Sequence, residues 1–188
     1  SDPLRLHDCS LITDGAAAVV ITRKDLAMIK RERSVRIAGI GHVVERMPIS
    51  VRPQMYRLDA AKFSVKKALE EAKLSYKDIN IAEVHDCFTI NQILCTEALG
   101  FSEDGKGGYD YLNGRFGPED EVSINLSGGL KAKGHPVGAT GVSMHALLYK
   151  QLIGEPIGVA PKKKPTVAAT LNVGGSAVTN CVSILIKE

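Results

Sequence analysis

An α/β layered domain with a mixed sheet is the fold class this sequence predicts, and three observations carry it. Short β-branched stretches alternate with helical ones along the chain. The 188 residues suffice for one substantial domain and are too few for two large ones. The chain also closes on two apolar runs, "TVAATLNV" and "CVSILI", either side of Gly174 and Gly175, as an antiparallel pair would. There is no internal repeat.

Taken in order, "DGAAAVVIT" (14–22) is small and β-branched after a glycine and reads as a buried strand, with a short helix around "RKDLAMIKRE" after it. "SVRIAGIGHVV" (34–44) sets Val35, Ile37 and then Ile40 among polar or small partners, as a strand does. A Pro-containing loop leads to "LDAAKFSVKKALEEAKLS", where Ala61, Val65, Ala68, Leu69 and Ala72 share one helical face. "SYKD" (75–78) has the form of a capping box and runs into a strand, "INIAEVHD". Asp86 then offers an N-cap for the helix "CFTINQILCTEALG", which Gly100 ends. Residues 102–121, rich in Gly, Asp, Glu and Tyr, read as a long functional or mobile loop. "VSMHALLYKQLI" is apolar around most of its circumference, as a helix buried on several sides would be.

Composition excludes several function classes. With 44% hydrophobic residues, 24% charged and a net charge of +3, nothing argues electrostatically for nucleic acid. The basic run Lys162-Lys163-Lys164 lies between prolines and reads as a solvated loop before it reads as a phosphate site. No apolar stretch approaches the roughly 20 residues of a membrane span, and the N-terminus lacks a signal-peptide pattern, so a cytoplasmic setting is expected. Cys9, Cys87, Cys95 and Cys181 sit in unlike contexts without a CxxC pair, which favours reduced thiols. "HDC" occurs twice, as His7-Asp8-Cys9 and His85-Asp86-Cys87, and two such pairs could ligate zinc. Their flanks differ and no further ligands accompany them, so no metal is expected. A first residue other than Met suggests a piece of a longer protein.

Two stretches carry candidate chemistry. In "EVHDCFTI", Cys87 follows a strand at the expected first turn of a helix, where unpaired N–H groups favour a thiolate. His85, two residues earlier, is on the same side of an extended chain and able to pair with it or to donate to a substrate oxygen. A buried cysteine packed as a small hydrophobe beside a satisfied histidine fits the same spacing. In "GGLKAKGHPVGATG" (128–141), Pro136 biases His135 towards extended backbone, while Gly134 and Gly138 leave room for a ligand. That aims an imidazole out of a glycine-lined wall, suited to a general base or an oxyanion donor. A Gly-rich turn with a solvent-exposed histidine is the plainer alternative. Gly174 and Gly175 end a strand and can present bare N–H groups to negative charge, although a tight turn looks the same.

In this order, "EVHDCFTI", "INLSGGLKAKGHPVGATG" and "LNVGGSAVTNCV" resemble the C-terminal half of a thiolase, most closely the sterol-carrier-protein-type and archaeal thiolases with HDCF where others have NEAF. "HDCSLITDGAAAVVI" is similar to the segment forming the last strand of that family's N-terminal half. The resemblance implies a mixed five-stranded sheet with helices on both faces, residues 32–188 as the thiolase C-terminal domain, and 1–31 as the last strand segment and linker of the N-terminal half. It implies Claisen chemistry on β-ketoacyl-CoA thioesters: condensation or thiolytic cleavage, with the coenzyme A thioester as substrate and no cofactor. His135 would activate a nucleophilic cysteine and help hold the thioester oxyanion. His85 would complete that oxyanion hole, Cys87 would be the acid/base, and the Gly174 N–H would serve a second oxyanion hole. Gly134, Asn172 and Phe88 are expected at the substrate site.

Two departures matter. The stretch matching the family's C-x-G motif reads Asn172-Val173-Gly174, which leaves Cys87 as the substitute. The nucleophilic cysteine belongs to the N-terminal half, and none of the four cysteines here has its context, so this chain alone is expected to be inactive. The implied partners are that N-terminal half, in the same or a separate chain, acyl-CoA, further copies of the chain, and a zinc-ribbon/OB-fold acyl-CoA-binding protein. Residues 8–22 would pair into the other half's sheet, so self-association is expected of the isolated chain. Another condensing enzyme of the superfamily, or a non-catalytic acyl-CoA- or partner-binding domain, are the alternatives.

Overall fold

A five-stranded mixed sheet organises the computed structural model, which describes residues 2–27 and 31–188. The strands are β1 (Val35–Val44), β2 (Ile81–Val84), β3 (Ser123–Ile124), β4 (Val167–Gly174) and β5 (Thr179–Lys187), in the order β1-β5-β4-β2-β3. β2 runs parallel to both neighbours, and β5 antiparallel to both of its own. The helices are α1 (Asp59–Ala72), α2 (Thr89–Ala98), α3 (Gly107–Leu112), α4 (Gly129–Lys133) and α5 (Thr140–Leu152).

Both sheet faces are covered, as expected. Successive strand residues face opposite ways. Ala82, Ala169 and Ile184 therefore pack with Ala61, Val65 and Ala68 of α1, while Ile81, Ala168 and Leu185 pack with Leu148 and Leu152 of α5. No residue of α5 is fully exposed, consistent with its apolar circumference. The step from Ile37 to Ile40 in the sequence pattern also has a cause. The register slips between Ile37 and Gly39, a β-bulge that restores Ile40 to the side it would otherwise leave.

Three expectations need correction. Residues 14–22 form no strand; they are mostly exposed, and among the described residues no strand lies alongside to complete a ladder. The helix expected over 23–32 is reduced to single 3₁₀ turns at Lys24–Leu26 and Arg31–Arg33, and its middle lies outside the described residues. The loop 102–121 contains a helix, α3, whose Tyr111 hydroxyl bonds Gln92 and Thr96 of α2, so it is a packed element. The capping box at Ser75–Asp78 is present, but it opens a single 3₁₀ turn that leads to β2.

Candidate active site

The carboxyl ends of parallel strands are where open α/β sheets place their ligands. β2, in the interior of this sheet, delivers His85, Asp86 and Cys87 there; the chain after β3 delivers the loop to His135; and β4 delivers Asn172. His85 extends the β2–β4 ladder by donating its backbone N–H to Leu171 at 3.0 Å, and the Asn91 amide bonds its carbonyl. The side chain is 6% exposed, with Nδ1 2.7 Å from Oδ1 of Asn172. His135 is half-buried and donates its backbone N–H to Leu11 at 3.2 Å. The two rings meet edge to face, centroids 4.9 Å apart and planes at 86°.

The Thr140 hydroxyl is coupled to the His135 tautomer. It lies 2.7 Å from His135 Nδ1 and 3.2 Å from the Pro136 carbonyl. With its hydrogen on that carbonyl it accepts from Nδ1–H, the arrangement that leaves a lone pair on Nε2. Burial lowers the His135 pKa below the ordinary value, with Lys133 acting in the same direction and Asp86 opposing it. His85 is lowered mainly by burial as well, against its hydrogen bond to Asn172. Burial thus favours the neutral imidazole at both positions, the form a general base requires.

The surroundings of Cys87 disfavour the thiolate expected there. α2 begins at Thr89 with Phe88 as N-cap, so Cys87 lies outside the first turn. Burial pushes its pKa up; the N–H of Phe88 pulls the other way, and the Asp86 charge raises it further. Cys87 is a protonated thiol, a proton donor before it is an acceptor. Cys95, buried in α2, is pushed up much further by the same cause.

Asp86 does not cap α2. Its carboxylate accepts the N–H groups of Leu130 at 2.7 Å and Lys131 at 3.3 Å, at the start of α4. The space beside Gly134 is also already taken: a Cβ there would lie 2.6 Å from the Thr13 hydroxyl, so this glycine admits another part of the chain and no ligand. Gly138, with φ of 90°, faces open space. Phe88 is half-exposed and bridges to Cys9. Gly174 ends β4 opposite Thr179, exposed, on the same strand face as Asn172.

The sequence therefore marked His85, Cys87, His135 and Asn172, which the fold brings to one edge of the sheet. It missed Thr140, whose signal was a hydroxyl five residues after His135, and Glu83, a buried acid in β2 two residues before His85. The N-terminal stretch 8–13 was also missed. Asp8 accepts from Thr89 at 3.0 Å, Ser10 donates to the Cys87 carbonyl at 2.8 Å, and Ile12 bridges to His135. Among the described residues, no group of three or more His, Cys, Asp or Glu is placed to hold a metal ion, and no helix is long and apolar enough to cross a membrane.

Known proteins resemble this chain in sequence and in fold. The chain is 40% identical over 184 residues to an acetyl-CoA acetyltransferase of Methanothermobacter thermautotrophicus, covering 98% of itself and 48% of that protein. It is 33% identical to sterol carrier protein 2 of Rattus norvegicus over 183 residues, 94% of this chain and 34% of the relative. It thus spans about half the length, or less, of these relatives. A solved structure titled "Ltp2-ChsH2(DUF35) aldolase" superposes over 100% of this chain and 48% of its own, with a TM-score of 0.79 at 17% identity, which shows a shared fold. A sequence profile described as "Thiolase C-terminal domain-like" matches residues 41–187. The chain belongs to the thiolase C-terminal domain-like family.

Proposed function

We propose that this chain acts as the C-terminal half of an acyl-CoA acyltransferase that condenses or thiolytically cleaves β-ketoacyl-CoA, with the nucleophilic cysteine supplied by an N-terminal half. The observation that carries the reading is the edge-to-face contact of His85 and His135 at 4.9 Å, with Nδ1 of each ring already engaged. Each Nε2 remains for substrate or nucleophile.

In cleavage, His135 Nε2 takes the proton of the other half's cysteine, whose sulfur attacks the β-carbonyl carbon. The Cα–Cβ bond breaks and leaves an acyl-cysteine and the enolate of the shortened acyl-CoA, which the Cys87 S–H protonates. The Cys87 thiolate then takes the proton of an incoming CoA thiol, whose sulfur attacks the acyl carbon and displaces the cysteine thiolate, and that thiolate recovers its proton from His135. His85 serves the thioester oxyanion as a donor from Nε2. That role requires the Asn172 amide to present its NH₂ to Nδ1, since an Nδ1–H donating to Oδ1 would leave Nε2 without a proton. The Gly174 N–H serves the second oxyanion hole. A separate partner chain is proposed alongside, supported by the shared fold with the complex named above.

The test combines this chain with an N-terminal half and follows thiolysis of acetoacetyl-CoA. His135→Ala should lower the rate by about a hundredfold or more, and unchanged thiolysis would sink the proposal. Cys87→Ala should abolish α-proton exchange in the acyl-CoA while leaving acylation of the partner's cysteine largely intact.

A further inference from the structure

Asp86 stands between two of the proposed reagents and is itself bonded to the loop that carries the third. It is 2% exposed, and its carboxylate receives the N–H groups of Leu130 and Lys131. A Cβ at Gly129 would overlap that carboxylate, so the chain enters α4 against the acid with no room to spare. Gly129 has a φ of 60°, a conformation in which glycine is strongly favoured. From this point four residues lead to Gly134, and His135 follows.

We propose that Asp86 is a positioning residue: one carboxylate ties the His85–Cys87 stretch to the His135 loop, holds the two imidazoles in edge contact, and keeps a negative charge beside both. In its role as an aid to catalysis this rests on the function proposed above; the tie itself does not. Ser127 also meets the first turn of α4, accepting the Gly129 N–H, but it does so from within the same loop; among the described residues Asp86 is the side chain of the His85–Cys87 stretch bonded there. Two charge-assisted bonds at a helix start are strong enough to set a loop's position.

The groups whose charges act together at this point come from four elements. β2 supplies Glu83, and the stretch after it supplies His85 and Cys87. α4 supplies Lys133, which opposes Asp86 at both histidines. Cys95 of α2 and Tyr111 of α3 also feel the Asp86 charge. Of all of these, Asp86 is the one that raises the proton affinity of His85 and His135 alike.

The experiment uses the 188-residue chain, with ¹⁵N-histidine NMR titration and amide hydrogen exchange. In Asp86→Asn one oxygen still accepts from Leu130, so that amide stays protected while the titration midpoints of both histidines move down. In Asp86→Ala the amides of Leu130 and Lys131 lose protection by about tenfold or more, and the nuclear Overhauser contact between the rings disappears. A simple helix cap would reproduce the loss in Asp86→Ala and leave the Asp86→Asn midpoints where they began. Unmoved midpoints in Asp86→Asn, or a Leu130 amide still protected in Asp86→Ala, overturns the proposal; if the alanine variant does not fold, the Asp86→Asn midpoints decide. These readouts need no turnover, so a failure of the reconstituted enzyme and a failure of the tie are separately visible.

Discussion

Glu83 has no access to solvent, yet it is a carboxylic acid in the middle of β2. Its oxygens receive the Ser127 hydroxyl at 2.8 Å and the Ser127 N–H at 3.4 Å, and these two bonds do not offset the burial. Burial pushes its pKa up from 4.5 to about 7, against the pull of Ser127 and Lys133. Because the folded value lies above the unfolded one, the folded chain holds more protons between them, and stability declines as pH rises through that window. The full contribution is present below pH 4.5 and is lost as pH passes 7, a span on the order of 3 kcal/mol. Glu83→Gln keeps the shape and an acceptor for Ser127 without the titration. Urea unfolding between pH 5 and 8 should show this decline in the native chain and a much flatter profile in the variant; equal slopes would show that Glu83 does not govern it. This burial was not legible in the sequence, since Glu83 stands among Ile81, Ala82 and Val84 in a strand whose neighbours on both sides come from distant segments.

β1 and α1 approach each other backbone to backbone. A Cβ on Gly41 would overlap the carbonyl of Ser64, and one on Gly39 would overlap the carbonyl of Ala68, so the two glycines admit successive turns of the helix. The helix in turn presents only small side chains there, and the Ser64 hydroxyl bonds the Asn180 carbonyl of β5 at 2.9 Å. Gly41→Ala must push α1 away from the sheet, and overpacking of this kind costs about 1–3 kcal/mol. A lowered midpoint in thermal or urea unfolding is the expected result, and a stability equal to the native chain would contradict the close approach. Most elements were legible because their periodicity is local: Ala61, Val65 and Ala68 mark α1, and the paired runs mark β4 and β5. Cap assignments were less so. Asp86 looked like the start of α2 because it directly precedes it, but the N–H groups it satisfies lie 44 and 45 residues further along. Sequence proximity cannot reveal a bond made across a crossover.

Among the described residues, apolar side chains are left uncovered at many points, and two of these bear on pairing with another chain. One is the N-terminal stretch, where Ile12 is 89% and Val20 98% exposed. The other is the end of β1, where Gly39 and Gly41 face α1, so that Ile40 and Val44, 57% and 63% exposed, face the side on which α5 lies. The first was foreshadowed, since residues 8–22 are expected to pair into the sheet of an N-terminal half; nothing in the sequence marked the exposure at the end of β1. Residues 8–13 are bonded to the stretch at Cys87 and to His135, so the exposed run from 14 to 22 continues directly from the place where the two histidines meet. An extended run of apolar residues without a ladder partner invites pairing with another chain. Sedimentation velocity should therefore show concentration-dependent self-association of the isolated chain. The double variant Val20→Lys and Ile21→Lys should reduce it, since pairing would then bury two cations. An N-terminal thiolase half added in excess should abolish it by occupying the same residues. If instead the native chain sediments as a monomer at every concentration and the added half does not bind, residues 14–22 are not a pairing edge, and the arrangement proposed for the two halves loses its main physical support.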